Sequence, residues 1–315
     1  MCIALLDIKR ATKIGSKFSA VNMRNMQILA KELNADFIYS EFDKRLKNKG
    51  YNFIIYGFAS VNAEIEKQFN FVNNNKEAKL FRLVGEYEQT GHSPLYYALT
   101  RLNKKHHVII NVDKIFNSYK KYISGQTVLN LNLLISKPSN ELTQKKYDCI
   151  YYSRWRPNRA KYLKEYLKED IYFSSDAKNF KQHKHIGCNP KWIKKLSWEE
   201  KRETLNQFRY SLYLEDEYTH KVYNHLANRW YESGFCNNVV FFDINCKNTI
   251  EHERTEIREH FDKFYYVSSY SELQEKIKEC NKNFEKHLAI QKTWRLSEPF
   301  LREEMLKEFK SIILS

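Results

Sequence analysis

The sequence is poor in the features that mark several large protein classes. Its six cysteines, Cys2, Cys149, Cys188, Cys236, Cys246 and Cys280, are widely scattered and include no CxxC pair. That spacing signals neither a disulfide framework nor a four-thiolate zinc site. No apolar run approaches the roughly 18 residues of a membrane span, and the opening MCIALLDIKR meets charge too soon for a secretory signal. Neither GxxxxGK followed by Ser or Thr nor GxGxxG occurs, so the phosphate-loop and dinucleotide fingerprints are both missing. There is no short-period repeat. The expectation is a soluble protein of the reducing cytoplasm.

What is present is apolar area and positive charge. Hydrophobic residues make up 42% of the 315 and aromatics 15%, enough to bury real cores and to exclude a disordered chain. Lys and Arg number 53 against 38 Asp and Glu, a formal charge of +15. Such an excess favours an anionic partner, whether nucleic acid, nucleotide or phosphorylated polymer, and a merely solvated basic surface is the competing reading.

Along the chain, apolar runs at residues 3–8, 36–39, 52–58, 80–84 and 107–112 predict buried strands. Between them, Phe18, Val21, Met26, Leu29 and Leu33 share one helical face. Strand and helix alternating at this spacing predict an α/β architecture with parallel sheets. Pro138 and the polar residues around it mark a boundary, after which a second cycle begins: strands at 147–152, 171–173, 208–214 and 239–242, helices at 158–167 and 270–280. Tyr218, Val222, Leu226 and Trp230 recur every four residues, predicting a helix that Gly234 ends. The expected division is a first domain over 1–140, a second over 141–290 and a terminal segment over 291–315. Leu301, Met305, Leu306, Phe309, Ile312 and Ile313 give that segment an apolar stripe that must dock.

In open α/β sheets ligands sit beyond the carboxyl ends of strands, so the residues just after each strand carry most weight. After the first strand, a basic turn containing Gly15 and Ser16 precedes a helix whose free N–H groups could hold an anion; a plain surface turn is the alternative. The fourth strand runs into Glu86, Glu88 and His92, side chains suited to acid/base work or to orienting a hydroxyl. The sharpest feature is YYSRWRPNRAK, which crowds Arg154, Arg156 and Arg159 at a strand-to-helix turn, a diphosphate cradle in outline. A solvated basic loop would look similar. His183, His185 and Cys188 lack a fourth ligand at metal spacing, and KQHKHIGCNPKWIKK reads as a basic loop or a lining for an anionic acceptor, with Trp192 available to stack on a base or to pack. Glu232 lies near a helix C-terminus, unfavourable for a carboxylate. Either solvent or a task such as binding two ribose hydroxyls would explain it.

YYSRWRPNRAKYLKEYL and YTHKVYNHLANRWYESGFCNNVVFFD together resemble the nucleotide-sugar glycosyltransferases of the GT-B fold, and among these the bacteriophage enzymes that glucosylate hydroxymethylated pyrimidines in DNA. The resemblance implies two Rossmann-like domains facing a cleft, with the terminal helix returning to the first. It implies UDP-glucose as donor, modified double-stranded DNA as acceptor and no obligatory metal, and if the chain is phage-encoded it would work in the host cytoplasm. Arg154 with Arg156 or Arg159 would meet the donor diphosphate, Glu232 the ribose, and Ser233 the small-residue position after it. Gly15 and Ser16 would line the site, and the residue that orients the acceptor would come from Glu86, Glu88 or His92. The chain departs from the family's paired glutamates, because Asn224 stands eight residues before Glu232. An envelope-glycan or lipid-linked acceptor, and a noncatalytic DNA-binding protein, are the alternatives.

Overall fold

The computed structural model describes residues 2–6, 20–38, 50–57, 70–84, 104–110, 123–135, 144–153, 155–195, 198–216, 226–253 and 255–314. The chain divides into two compact units, Met1–Leu134 with Phe300–Ser315 and Ile135–Pro299.

In the first unit the strands β1 (Ile3–Leu6), β2 (Asp36–Ile38), β3 (Phe53–Gly57), β4 (Lys79–Val84), β5 (His106–Ile110) and β6 (Ile123–Val128) form one sheet in the order β2-β1-β3-β4-β5-β6. All pairs are parallel. Helix α1 (Ala20–Glu32) follows β1 and buries Met26, Leu29 and Ala30. Asn34, at φ 50, turns the chain out of it, a conformation asparagine tolerates well. The terminal helix, Glu298–Leu314, buries Arg302, Leu306, Phe309 and Ile313, a spacing of four, three and four that keeps one face inward. Leu306, Phe309 and Ile313 join Leu5, Leu29, Ile55, Phe81 and Leu129 in one core, so the terminal stripe docks on the first unit as expected. Arg302 donates to Glu32 at 2.8 Å on the same contact.

The second unit carries β7 (Tyr147–Tyr152), β8 (Tyr172–Ser175), β9 (Lys191–Lys194), β10 (Phe208–Tyr213), β11 (Val239–Asp243) and β12 (Tyr266–Val267) in the order β12-β11-β10-β7-β8-β9, again all parallel. Counted from β7 this is 3-2-1-4-5-6, the doubly wound dinucleotide-binding order, whose direction reverses between β7 and β10. All five residues of β11 are buried, as a central parallel strand requires. Helices α2 (Pro157–Tyr166), α3 (Ala177–His185), α4 (Trp198–Leu205), α5 (Asn228–Phe235), α6 (Lys247–Glu251), α7 (Thr255–His260), α8 (Tyr270–Lys282) and α9 (Phe284–Thr293) complete it. No helix among the described residues is long and apolar enough to cross a membrane.

Two sequence expectations need correction. The basic stretch after Asp176 is not a loop: it forms α3 and the edge strand β9, separated by a turn through Gly187 at φ +89. Its inward face uses His183 where an aliphatic residue would have been recognisable. The helix carrying Glu232 begins only at Asn228, with extended Ala227 as its cap, so Leu226 lies outside it, and it runs through Gly234 rather than stopping there. Tyr218 and Val222 lie outside the described residues.

Candidate functional site

The reversal point of the second sheet collects charge. Strand β7 ends at Tyr152 and leads into α2, which starts at Pro157 and places Arg159 in its first turn. Strand β10 ends at Tyr213, and Glu215 and Asp216 follow one residue later, after Leu214. Arg159 is ion-paired with Glu215 and lies 3.2 Å from Asp216. Arg156, the cap residue of α2, approaches Asp216 at 3.7 Å. Arg229, in the first turn of α5, pairs with Glu215 and donates to the carbonyls of Tyr152 at 2.8 Å and Leu214 at 3.2 Å. Its guanidinium also lies over the Tyr151 and Tyr152 rings, at 5.3 and 5.9 Å.

Burial sorts these groups. The Arg159 side chain is 6% exposed, whereas that of Arg156 is 46% exposed. Burial works against the Arg159 charge, but Tyr151 and Asp216 more than offset it and hold the guanidinium protonated. Among the described residues the guanidiniums of Arg156, Arg159 and Arg229 meet the carboxylates of Glu215 and Asp216 here, and Arg156 is the most open of the five. Together with the start of α2 this arrangement can hold an anion.

Glu232 sits on the inward face of α5 and is 1% exposed, which excludes solvation as the reason for its position. The Tyr152 hydroxyl bonds to it and to Ser233. Burial, and then the Glu232 charge, push that phenol far above its usual pKa, so it remains a donor. Ser233 in turn shares a 2.7 Å hydrogen bond with Ser211 of β10. The carboxylate is therefore held in place from β7.

A second cluster fixes the far end of α5. The Arg295 guanidinium lies 3.4 Å from the Trp230 ring centre and donates to the Trp230 carbonyl at 2.6 Å, while the Trp230 indole donates to Glu298 at 3.1 Å. A Cβ on Gly234 would fall inside that guanidinium, which is why glycine occupies a helical position here. Gly234→Ala is expected to displace Arg295 and to lower stability by about 1–2 kcal/mol, because loss of the cation–π contact and charged hydrogen bond exceeds the helix-propensity gain. In an Arg295→Ala background the same change should be neutral or stabilising, a coupling that urea melts of the four variants would measure.

Of the residues singled out from sequence, Arg156, Arg159 and Glu232 with Ser233 flank the reversal point. Gly15, Ser16, Glu86, Glu88, His92, Arg154 and Asn224 lie outside the described residues. His183 is turned inward, its Nδ1 2.7 Å from the Asn179 carbonyl and its ring against Trp155 and Phe173. Desolvation, with a smaller effect from Arg159, lowers its pKa. Sequence reasoning passed over Glu215, Asp216 and Arg229. The first two lie just past a strand end, and Arg229 stands one helical turn before Glu232, so both signals were available.

The whole chain superposes on solved glucosyltransferases. A T4 phage β-glucosyltransferase structure described for substrate binding and a proposed catalytic mechanism aligns at TM-score 0.71 and 20% identity over 99% of each chain. The T4 phage enzyme in complex with its UDP-glucose substrate aligns at 0.70 and 17%, again over 99% of each. An α-glucosyltransferase in complex with UDP and a 13-mer DNA aligns at 0.67 and 13%, over 100% of this chain and 99% of that one. No protein-family model and no curated protein sequence matches. The chain has the GT-B fold and resembles the phage DNA glucosyltransferases in structure.

Proposed function

We propose that the protein is a nucleotide-sugar glycosyltransferase that moves glucose from UDP-glucose to the hydroxyl of a hydroxymethylated pyrimidine in DNA. The observation that carries this is the pairing of an arginine cluster with a tyrosine-held, buried glutamate at the reversal point of a 3-2-1-4-5-6 sheet. The fold, shared with enzymes described with UDP-glucose and with DNA, supports it. So does the +15 charge, which suits a polyanionic acceptor.

In this reading the acceptor oxygen forms a bond to the anomeric carbon as the bond from that carbon to the nucleoside diphosphate breaks. Arg154 and Arg156 take up the charge growing on the leaving diphosphate, an electrostatic stabilisation of the leaving group. Arg159 and Arg229 hold the surrounding carboxylates and carbonyls in position. Glu232 accepts from the ribose hydroxyls, with Ser233 behind it. Gly15 and Ser16 are assigned to donor contacts, and the acceptor proton goes to one of Glu86, Glu88 or His92. A target base within a duplex has to leave the stack to be reached.

The test is transfer of radiolabelled glucose from UDP-glucose, with and without Mn2+, to hydroxymethylcytosine DNA, unmodified DNA, glycan and lipid acceptors. Labelling confined to hydroxymethylated DNA is the expected result. Labelling of glycan or lipid alone would replace the acceptor, and no donor turnover with any acceptor would remove the assignment.

A further inference from the structure

We propose that the face formed by α3 and the edge strand β9 binds the phosphate backbone of duplex DNA, outside the donor site; this rests on DNA being the acceptor. Between Asp176 and Lys195 the chain carries Lys178, Lys181, Lys184, Lys191, Lys194 and Lys195 and one carboxylate. That carboxylate is committed, since Asp176 caps α3 by accepting from the Asn179 backbone at 2.8 Å and its side chain at 2.6 Å. Lys178, Lys181 and Lys184 recur at three-residue spacing, which confines them to one exposed stripe of α3, opposite the buried His183. On β9, Lys194 is exposed on the side of Trp192, whereas Lys191 points to the other side of the sheet, its ammonium 5.2 Å from the Tyr172 ring centre. None of these five lysines forms an ion pair among the described residues.

An aromatic platform stands within this charge. Trp192 is 43% exposed, stacked on Phe180 of α3 at 5.4 Å and 19°, and fixed by its indole N–H donating to the Ser175 carbonyl at 3.0 Å. Lysines on an edge strand also discourage sheet-to-sheet aggregation. That accounts for β9, but not for the stripe on α3, nor for an exposed tryptophan, which works the other way. An uncompensated basic stripe around a rigid aromatic surface fits a sugar–phosphate backbone, with lysines on phosphates and the indole against the sugars.

The face adjoins the donor cluster. Trp155, beside the arginine turn, packs edge-on against His183 of α3 at 4.9 Å. Strands β7, β8 and β9 are consecutive parallel neighbours, so the arginine turn and Lys194–Lys195 leave the sheet along the same rim. Two strand spacings make that rim about 10 Å long, over which a duplex presents about six phosphate charges.

The experiment measures binding of a fluorescein-labelled 20-base-pair duplex, and of its single strand, by anisotropy across a salt series. Lys178→Ala/Lys181→Ala/Lys194→Ala is compared with the control Lys263→Ala/Lys278→Ala/Lys286→Ala, three exposed lysines elsewhere on the second unit. The first variant is expected to bind the duplex about 10- to 100-fold more weakly at low salt and to lower the slope of log K against log salt by about 2 to 3. The control should change both far less, and the thermal shift given by UDP-glucose should be the same in all three proteins. Wild-type affinity and slope in the first variant, equal losses in both variants, or binding of the single strand alone would overturn the proposal. A wild-type protein that responds to UDP-glucose yet binds no DNA would instead overturn the acceptor reading, and this surface with it.

Discussion

Arg159→Ala is expected to destabilise the second unit by about 3–5 kcal/mol, the range seen when one partner of a buried ion pair is removed. Arg159, Glu215 and Asp216 are each at most about 6% exposed, and Arg159 lies between the two carboxylates. Without it, Glu215 keeps Arg229, whereas Asp216 loses the nearer of the two guanidiniums that reach it among the described residues, Arg159 at 3.2 Å against the solvent-facing Arg156 at 3.7 Å. A carboxylate so placed either stays charged at a desolvation cost or takes up a proton, and both cost folding free energy. Adding Asp216→Asn should recover part of the loss, because a buried carboxylate that has lost its nearest cation becomes a neutral amide of the same shape. Urea unfolding followed by tryptophan fluorescence measures this, and wild-type stability in Arg159→Ala would show that the cluster does not form. Arg156→Ala should cost less than about 1 kcal/mol, since its ion pair is long and its side chain exposed. The contrast divides the arginine turn into a buried anchor and an open contact, which residue type alone does not distinguish.

That division marks how far the sequence could be read. Strand β7 lies where its apolar run places it, and the starts of β10 and β11 are equally plain, because parallel strands buried over most of their length have no continuous polar face to blur the pattern. The edge strand β6, ISGQTV, was missed because a half-exposed edge carries no such run. Helix α3 was missed because its buried position is a histidine. Arginine at a strand end announces a binding site and an ion-pair anchor in the same letters. Only Glu215 and Asp216, brought beside Arg159 by the crossover that puts β10 next to β7, decide which arginine is which. Gly234 teaches the same point. In the sequence it ends a helix, and in the fold it makes room for a guanidinium from Arg295, 61 positions away in the numbering.

Glu232→Gln is expected to fold and to bind UDP-glucose poorly. Its KM should rise by roughly 30- to 100-fold, the equivalent of the about 2–3 kcal/mol carried by hydrogen bonds to a charged acceptor, while kcat changes by only a few-fold. The amide fills the same volume and can still accept from Tyr152, which also reaches the Arg229 carbonyl at 3.3 Å, so the floor formed by Tyr152, Ser233 and Ser211 survives. Under the proposed assignment, what is lost is a charged acceptor for two neighbouring ribose hydroxyls, and a contact so remote from the bond being broken affects ground state and transition state alike. A purely structural role for Glu232 would lower the melting temperature and leave KM near its wild-type value. The 2′-deoxyribose analogue of UDP-glucose separates the two cases. With wild-type protein it should lose about as much affinity as the substitution does, and with Glu232→Gln it should lose little more, because hydroxyl and carboxylate are two ends of one interaction. Equal losses for the analogue in both proteins would place the ribose elsewhere and leave Tyr152 and Glu232 as packing.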